Sequence, residues 1–173
     1  AERTAGTVTL TLTSTGNGLC NAVNDAVTFT ISPAPTANAG ADQTLCSNNP
    51  VATLSGGYTV ATGGVWSGGA GTFFPSTINM NATYTPTAAE IANGNVTLTL
   101  TTTGNGLCNA VSDNITLTFT PAPTVNAGAD VSICANNAAV AMNGTVVGAA
   151  GGVWSGGAGS FVPNNTVLNA TYT

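Results

Sequence analysis

Nine residues, Gly63 to Gly71 (GGVWSGGAG), return unchanged at Gly151 to Gly159. They carry the chain's two tryptophans, Trp66 and Trp154, 88 positions apart. The same interval separates Cys20 from Cys108, Cys46 from Cys134, Pro33 from Pro121 and Asp25 from Asp113. Sliding the 173-residue sequence by 88 aligns 85 positions without a gap, and 51 of them are identical. Identity of that density means one structural unit written more than once, so any fold must honour the period. A solenoid turn is much shorter, whereas 88 residues suit one small β-sandwich.

Inside the period the local signal is strict alternation. Val8, Leu10 and Leu12 alternate with Thr9, Thr11 and Thr13, and Val27, Phe29 and Ile31 resume the pattern after GNGLCNAVND. Apolar residues then face one way and threonines the other, and the Gly/Asn-rich connection predicts an antiparallel hairpin. Residues 96–120 predict the same hairpin again. Leu98, Leu100, Ile115, Leu117 and Phe119 are expected to face inward with Trp66. Thr97, Thr99, Thr101, Thr116, Thr118 and Thr120 are expected to face outward.

Each hairpin is followed by Pro-Ala-Pro, at 33–35 and 121–123. Proline cannot donate to a ladder and stiffens the chain, so these segments read as joints. The resulting frame is 1–32 as the C-terminal strands of a preceding repeat, 33–120 as a complete sandwich, and 121–173 as the N-terminal part of a following repeat. Within 33–120, strands are predicted at 37–46 (broken by Gly40), 51–54, around Val65-Trp66, 72–74 and 82–85. PTAAEIAN (86–93) suits one helical turn. Together with the hairpin this makes about seven strands, and turn signals recur every 8–12 residues or so, which is the pattern of an all-β Greek-key sandwich of immunoglobulin type. Trp66 and Trp154 are read as core residues packed between the sheets.

Composition narrows the chemistry. The chain has one basic residue, six acidic ones and no His, for a net charge of −5. A single basic residue and a net negative charge argue against binding nucleic acid or an anionic membrane surface. With no His and no Lys there is no imidazole metal site, Ser-His-Asp triad, Schiff base or Lys-Asn cross-link. The six carboxylates lie at least seventeen positions apart, so they make no local acid/base pair or EF-hand loop. The expectation is a non-enzymatic chain with no catalytic residue, metal or cofactor. No apolar run approaches the ~20 residues that span a bilayer, so membrane insertion is not expected either.

Four cysteines, Cys20, Cys46, Cys108 and Cys134, are the disulfide candidates. Their spacings of 26 and 62 exclude a CxxC knuckle, and thiols in a Thr-rich polar chain suggest an oxidising compartment. In a seven-strand sandwich the Cys108 loop falls at the N-terminal end and the turn after Cys46 at the C-terminal end. A strand of ~8 residues, about 26 Å, then separates them, against the ~7 Å a disulfide tolerates. Three alternatives stay open: a staple across each proline joint, linking Cys46 to the next repeat's equivalent of Cys20 or Cys108; an intradomain Cys46–Cys108 bond; or free thiols.

PTANAGADQT (36–45), the tryptophan strand, VTLTLTTTGNG (96–106) and SDNITLTF (112–119) together resemble the PKD-like (immunoglobulin-like) repeats of giant cell-surface adhesins of gliding and related Bacteroidota. The resemblance covers the whole chain. It implies an extracellular, surface-exposed stalk or filament, exported by the type IX route, whose partners are neighbouring repeats or protomers end to end. The WDFGD segment of PKD domains is replaced here by VWSGGAG, so no ligand or calcium role attached to that segment carries over. Continuation in an array, or end-to-end complementation between protomers, is expected because 173 residues are two repeats less three.

Competing readings attach to particular residues. A glycan-binding surface module would need exposed Trp, or Tyr58 and Tyr84, on one flat face. The T-x-T rows match the ~6.7 Å two-residue spacing that ice-binding β-proteins display. Asp42 and Asp130 could join Asn38 and Asn126 at a calcium ion, although an Asp in a Gly turn more commonly bonds its own backbone. Asp25 and Asp113 read as turn residues.

Overall fold

A computed structural model describes residues 6–173. The described residues divide into two compact units, 6–45 with 50–119, and 46–49 with 120–173.

The first unit begins with the expected hairpin, β1 (Gly6–Thr13) and β2 (Asn24–Ile31). Val8 pairs with Phe29 and Leu10 with Val27. The loop is locally encoded. Ser14 N–H donates to Val23 O at 2.9 Å, Val23 N–H donates back to Ser14 Oγ at 3.0 Å, and Gly16 and Gly18 supply left-handed corners.

The sandwich follows as β3 (Thr36–Asn38), β4 (Gln43–Cys46), β5 (Ala52–Thr53), β6 (Gly57–Thr59), β7 (Gly63–Ser67), β8 (Thr72–Phe74), β9 (Thr83–Thr85), α1 (Ala88–Asn93), β10 (Asn95–Thr103) and β11 (Ser112–Thr120). One sheet runs β4-β11-β10-β7, another β5-β9-β8, and β3 pairs with β6. Among the described residues the fold is therefore all-β apart from the six residues of α1. The β10–β11 register repeats that of β1–β2 residue for residue, with Val96 opposite Leu117 and Leu98 opposite Ile115.

The core joins the two principal sheets. Trp66, Leu98, Leu100, Ile115, Leu117 and Phe119 come from one, and Ala52 and Tyr84 from the other, with Leu54 and Ala82 beside them. The intervening threonines are exposed or half-buried, except Thr102. Thr102 is buried because its hydroxyl accepts from Val111 N–H at 3.0 Å and closes the hairpin loop.

The structure adds a strand to the pattern read in the sequence. The expected third strand, around Val65-Trp66, is β7, and before it Gly57-Tyr58-Thr59 forms β6, paired with β3. The corner between them puts Val60 at φ 66°, a left-handed conformation costly for a β-branched residue. The other copy of the repeat has Gly148 at that position.

In the second unit β12 (Thr124–Asn126) pairs with β14 (Thr145–Val147), and β13 (Val140–Ala141), β16 (Thr171–Tyr172) and β15 (Phe161–Val162) form a three-stranded sheet. These reproduce β3–β6 and β5-β9-β8 respectively. Gly151–Ser155, identical in sequence to β7, is not a strand. The difference is tertiary: β7 is a strand because β10 pairs with it from Thr99 to Thr103, and no described residue does so for Gly151–Ser155.

Candidate functional site

The repeated nonapeptide is a packing device. Trp66 lies opposite Leu100 across the β7–β10 ladder and is 1% exposed. Gly64 leaves room for Leu100 above it, since a Cβ there would stand 3.1 Å from Leu100 Cδ1. Gly69 and Gly71 bring the following turn against Tyr84, and a Cβ on Gly69 would overlap the tyrosine hydroxyl.

That hydroxyl opens a buried polar cluster that the sequence spacing did not reveal. Tyr84 Oη accepts from Gly71 N–H at 2.9 Å and donates to Glu90 Oε1 at 2.7 Å. The same carboxylate oxygen accepts from Ala70 N–H at 2.7 Å. Glu90 Oε2 accepts from Thr87 N–H at 2.7 Å and from Thr87 Oγ1 at 3.0 Å, within a capping box that starts α1. Burial works to raise the Glu90 pKa, but the Thr87 and Ala70 N–H groups and the Tyr84 and Thr87 hydroxyls outweigh it and hold the carboxyl below its usual range. Burial, then the hydrogen bond to Glu90, pushes Tyr84 up to about 12. The only sequence sign of this cluster was T-A-A-E, the capping-box spacing. The cluster uses every oxygen of Glu90 to hold backbone together and offers no group to a substrate.

Asp42 and Asp113 also hold backbone together. Asp42 Oδ1 accepts from Thr116 N–H and Asp113 Oδ2 from Ala39 N–H, both at 2.8 Å, so the NAGAD loop is sewn to β11 at two points. Asp113 is thus a strand residue bonding across 74 positions, and Asp25 lies in β2; neither is a turn residue. Asn38 and Asn126 make local turns, accepting from Gly40 and Gly128 N–H at 2.8 Å. Among the described residues no three His, Cys, Asp or Glu side chains are grouped to share a metal ion, and no helix is long and apolar enough to cross a membrane.

The second unit presents the same tryptophan uncovered. Trp154 is half-buried and lines an open groove of about 210 Å³ together with Val125, Gly144, Val146, Gly152 and Leu168. On the ring's other side, Met142, Phe161 and Tyr172 border a second hollow of about 290 Å³. The floor is ordered. Trp154 Nε1 donates to Val167 O and Leu168 O, and Phe161 packs at a tilt against Tyr172 as Phe73 does against Tyr84. Trp154 was expected in a closed core, and it differs from Trp66 because the strand that roofs Trp66 has no counterpart among the described residues.

A matching apolar face is displayed on β1–β2. Leu10 is 55% exposed, Leu12 80%, Val27 49% and Phe29 50%. Their equivalents Leu98, Leu100, Ile115 and Leu117 are each 1% exposed or less.

Of the residues named for sugar stacking, Tyr84 and Trp66 are buried, Tyr58 stands apart on β6 with its hydroxyl turned to Thr62 O, and Trp154 is half-buried at its groove.

The cysteines are all free thiols, Cys20 and Cys134 exposed, Cys46 and Cys108 half-buried. Cys108 Sγ lies 3.5 Å from Pro33 O. Cys46 closes a turn, Asn49 N–H to Cys46 O at 2.9 Å, whose Ser47 donates to Thr120 O at 2.9 Å and accepts from Ala122 N–H at 2.8 Å. Cys108 thus precedes the nine-residue strand β11, whereas the Cys46 turn meets its last residue. A strand of that length spans about 26 Å, well beyond disulfide reach. Non-reducing peptide mapping is therefore expected to recover no Cys46–Cys108 pair from a single repeat, and recovering one overturns this placement.

No protein-family model matches the chain, and no curated protein matches it. Among solved structures, one similar chain is described as Protocadherin Gamma B2 extracellular cadherin domains 1-5. The match has a TM-score of 0.38 at 11% identity and covers 99% of this chain and 38% of that one. A likeness this low in both measures says nothing about what the present chain binds.

Proposed function

We propose that this chain is a non-enzymatic structural repeat of an extracellular, surface-exposed adhesin stalk or filament. The observation that carries the reading is the tethered joint. Ser47 of the Cys46–Asn49 turn holds both sides of Pro121, its N–H donating to Thr120 O and its Oγ accepting from Ala122 N–H. A proline joint pinned in this way suits a repeat used in a long array. Its acidic residues support the same role, since Glu90, Asp42 and Asp113 spend their oxygens on backbone donors. The thiols at opposite ends of β11 suit staples across the joints, with Cys46 bonded to the following repeat's equivalent of Cys108. Surface location and type IX export rest on the sequence resemblance to adhesin repeats.

Electron microscopy of the native surface material tests the proposal. Immunogold labelling with an antibody to this chain is expected to decorate thin rods with a regular axial repeat outside the cell. Label confined to the cell interior, or to compact particles without axial order, overturns it.

A further inference from the structure

We infer that Asn105 and its repeat equivalent Asn17 are self-modification sites, at which the side-chain amide is lost as ammonia through attack by the backbone nitrogen of the following glycine. Asn-Gly pairs occur in the chain at 17–18, 93–94, 105–106 and 143–144. Glycine is the successor that least hinders this reaction, because it has no Cβ to crowd the five-membered ring that forms. By sequence the four pairs are equivalent.

The fold separates them by what each glycine N–H is doing. A backbone nitrogen attacks only after giving up its proton to solvent, and an N–H already donated inside the fold must first be released. Gly94 N–H donates to Ile91 O at 3.1 Å as the cap of α1. Gly144 N–H donates to Leu168 O at 3.0 Å, and Trp154 walls that glycine, since an added Cβ would stand 2.7 Å from the ring. Among the described residues nothing accepts from Gly18 or Gly106 N–H. Both of these glycines are exposed, and a Cβ on either would touch nothing, so there is room for the ring and for water. The surrounding turn is the same in both copies. Cys108 N–H donates to Asn105 O at 3.1 Å, and Cys20 N–H to Asn17 O at 3.0 Å.

The steps balance without a cofactor. Gly106 N bonds to Asn105 Cγ as its proton passes to water. The Cγ–Nδ2 bond breaks, and Nδ2 takes a proton from water and departs as ammonia. A second water then opens the cyclic imide at either carbonyl, leaving aspartate at position 105 or isoaspartate, which lengthens the main chain by a methylene. No atom is oxidised or reduced.

The loop cannot accommodate the product unchanged. Asn105 Nδ2 donates to Thr102 O at 3.2 Å, and the product sets an oxygen against that oxygen. Asn105 Oδ1 is already buried without a donor, so the new carboxylate is drawn outward into water. The same loop carries Cys108, whose thiol donates to Pro33 O at 3.5 Å, so the loosening reaches the proline joint. Each event also adds a negative charge to a chain of net charge −5, which marks molecules by age. None of this depends on the stalk reading.

Mass-spectrometric peptide mapping after timed incubation in mildly alkaline buffer is the test, with the folded chain and the urea-unfolded chain run in parallel and elastase used for digestion. The mass gain of amide-to-carboxyl exchange is read at each of the four asparagines. Relative to their rates in the unfolded chain, Asn17 and Asn105 in the folded chain are each expected to outpace Asn93 and Asn143 by roughly fivefold or more, because a backbone hydrogen bond must open first at the latter two. A smaller ratio at either site, or no reaction at Asn105, overturns the inference. Asn105→Gln, whose side chain closes only a less favourable six-membered ring, is expected to silence position 105 while Asn17 reacts as before, and undiminished reaction there also overturns it. Asn105→Asp reproduces one product, and hydrogen exchange at Cys108 N–H is expected to quicken in that variant. Unchanged exchange overturns the loosening of the loop.

Discussion

Trp66→Ala lowers the melting temperature of the first unit by roughly 12–40 °C, taking 3–5 kcal/mol for a large aromatic removed from a core and 4–8 °C per kcal/mol for a domain of this size. Trp66 is 1% exposed and joins residues of both principal sheets, so no neighbour can collapse into its place without breaking the β7–β10 ladder. Trp154→Ala in the monomeric chain has a much smaller effect, because the ring already borders open space. Differential scanning calorimetry on the two variants reads the contrast. Equal losses would show that the two tryptophans occupy equivalent environments, contrary to the structure.

Glu90→Ala destabilises the first unit by on the order of 3 kcal/mol or more, since it leaves the buried donors of Ala70, Thr87 and Tyr84 without their acceptor. The ionised carboxylate is the species these donors favour, and its folded pKa lies below the ordinary value. Its contribution is therefore complete above the unfolded carboxylate pKa of about 4.3 and is lost as pH falls through the folded value. Tyr84 behaves oppositely at the alkaline end. Its pKa rises from 10.0 to about 12, so the neutral hydroxyl's contribution is intact below pH 10 and disappears as pH climbs towards 12. Urea denaturation at a series of pH values is expected to show an acid limb that Glu90→Gln flattens. An unchanged acid limb in that variant would assign the titration to other carboxylates.

How much of this was legible beforehand depends on the range of the interaction involved. Alternation of Leu and Thr sufficed for β10 and β11 because one face of each strand is covered and the other is not, which is what a period of two reports. The 72–74 strand and the helical turn at 88–93 were readable from Pro and Gly punctuation and from the T-A-A-E cap. By contrast, β6 is held by pairing with β3 over 23 positions and carries no apolar alternation of its own. Asp42 and Asp113 looked like turn residues because Gly and Asn surround them, yet their partners lie 74 positions away. GGVWS is the sharpest case. The same letters form a strand at 63–67 and none at 151–155, so no local rule could have distinguished the two.

The late position of β10 and β11 in each repeat also sets an order of events. These two strands contribute Leu98, Leu100, Ile115, Leu117 and Phe119 to the core, and a repeat made from its N-terminus cannot close until they exist. The hairpin itself forms within about 1–10 μs, while bringing it onto residues tens of positions upstream is the slow, non-local step. During that interval the open groove can be claimed by a neighbour's hairpin of nearly the same sequence, a route to misassembly in repeat proteins. Tethering decides the contest. A hairpin joined to its own sandwich through α1 and the Gly94 cap is presented at millimolar effective concentration, which free neighbours do not reach.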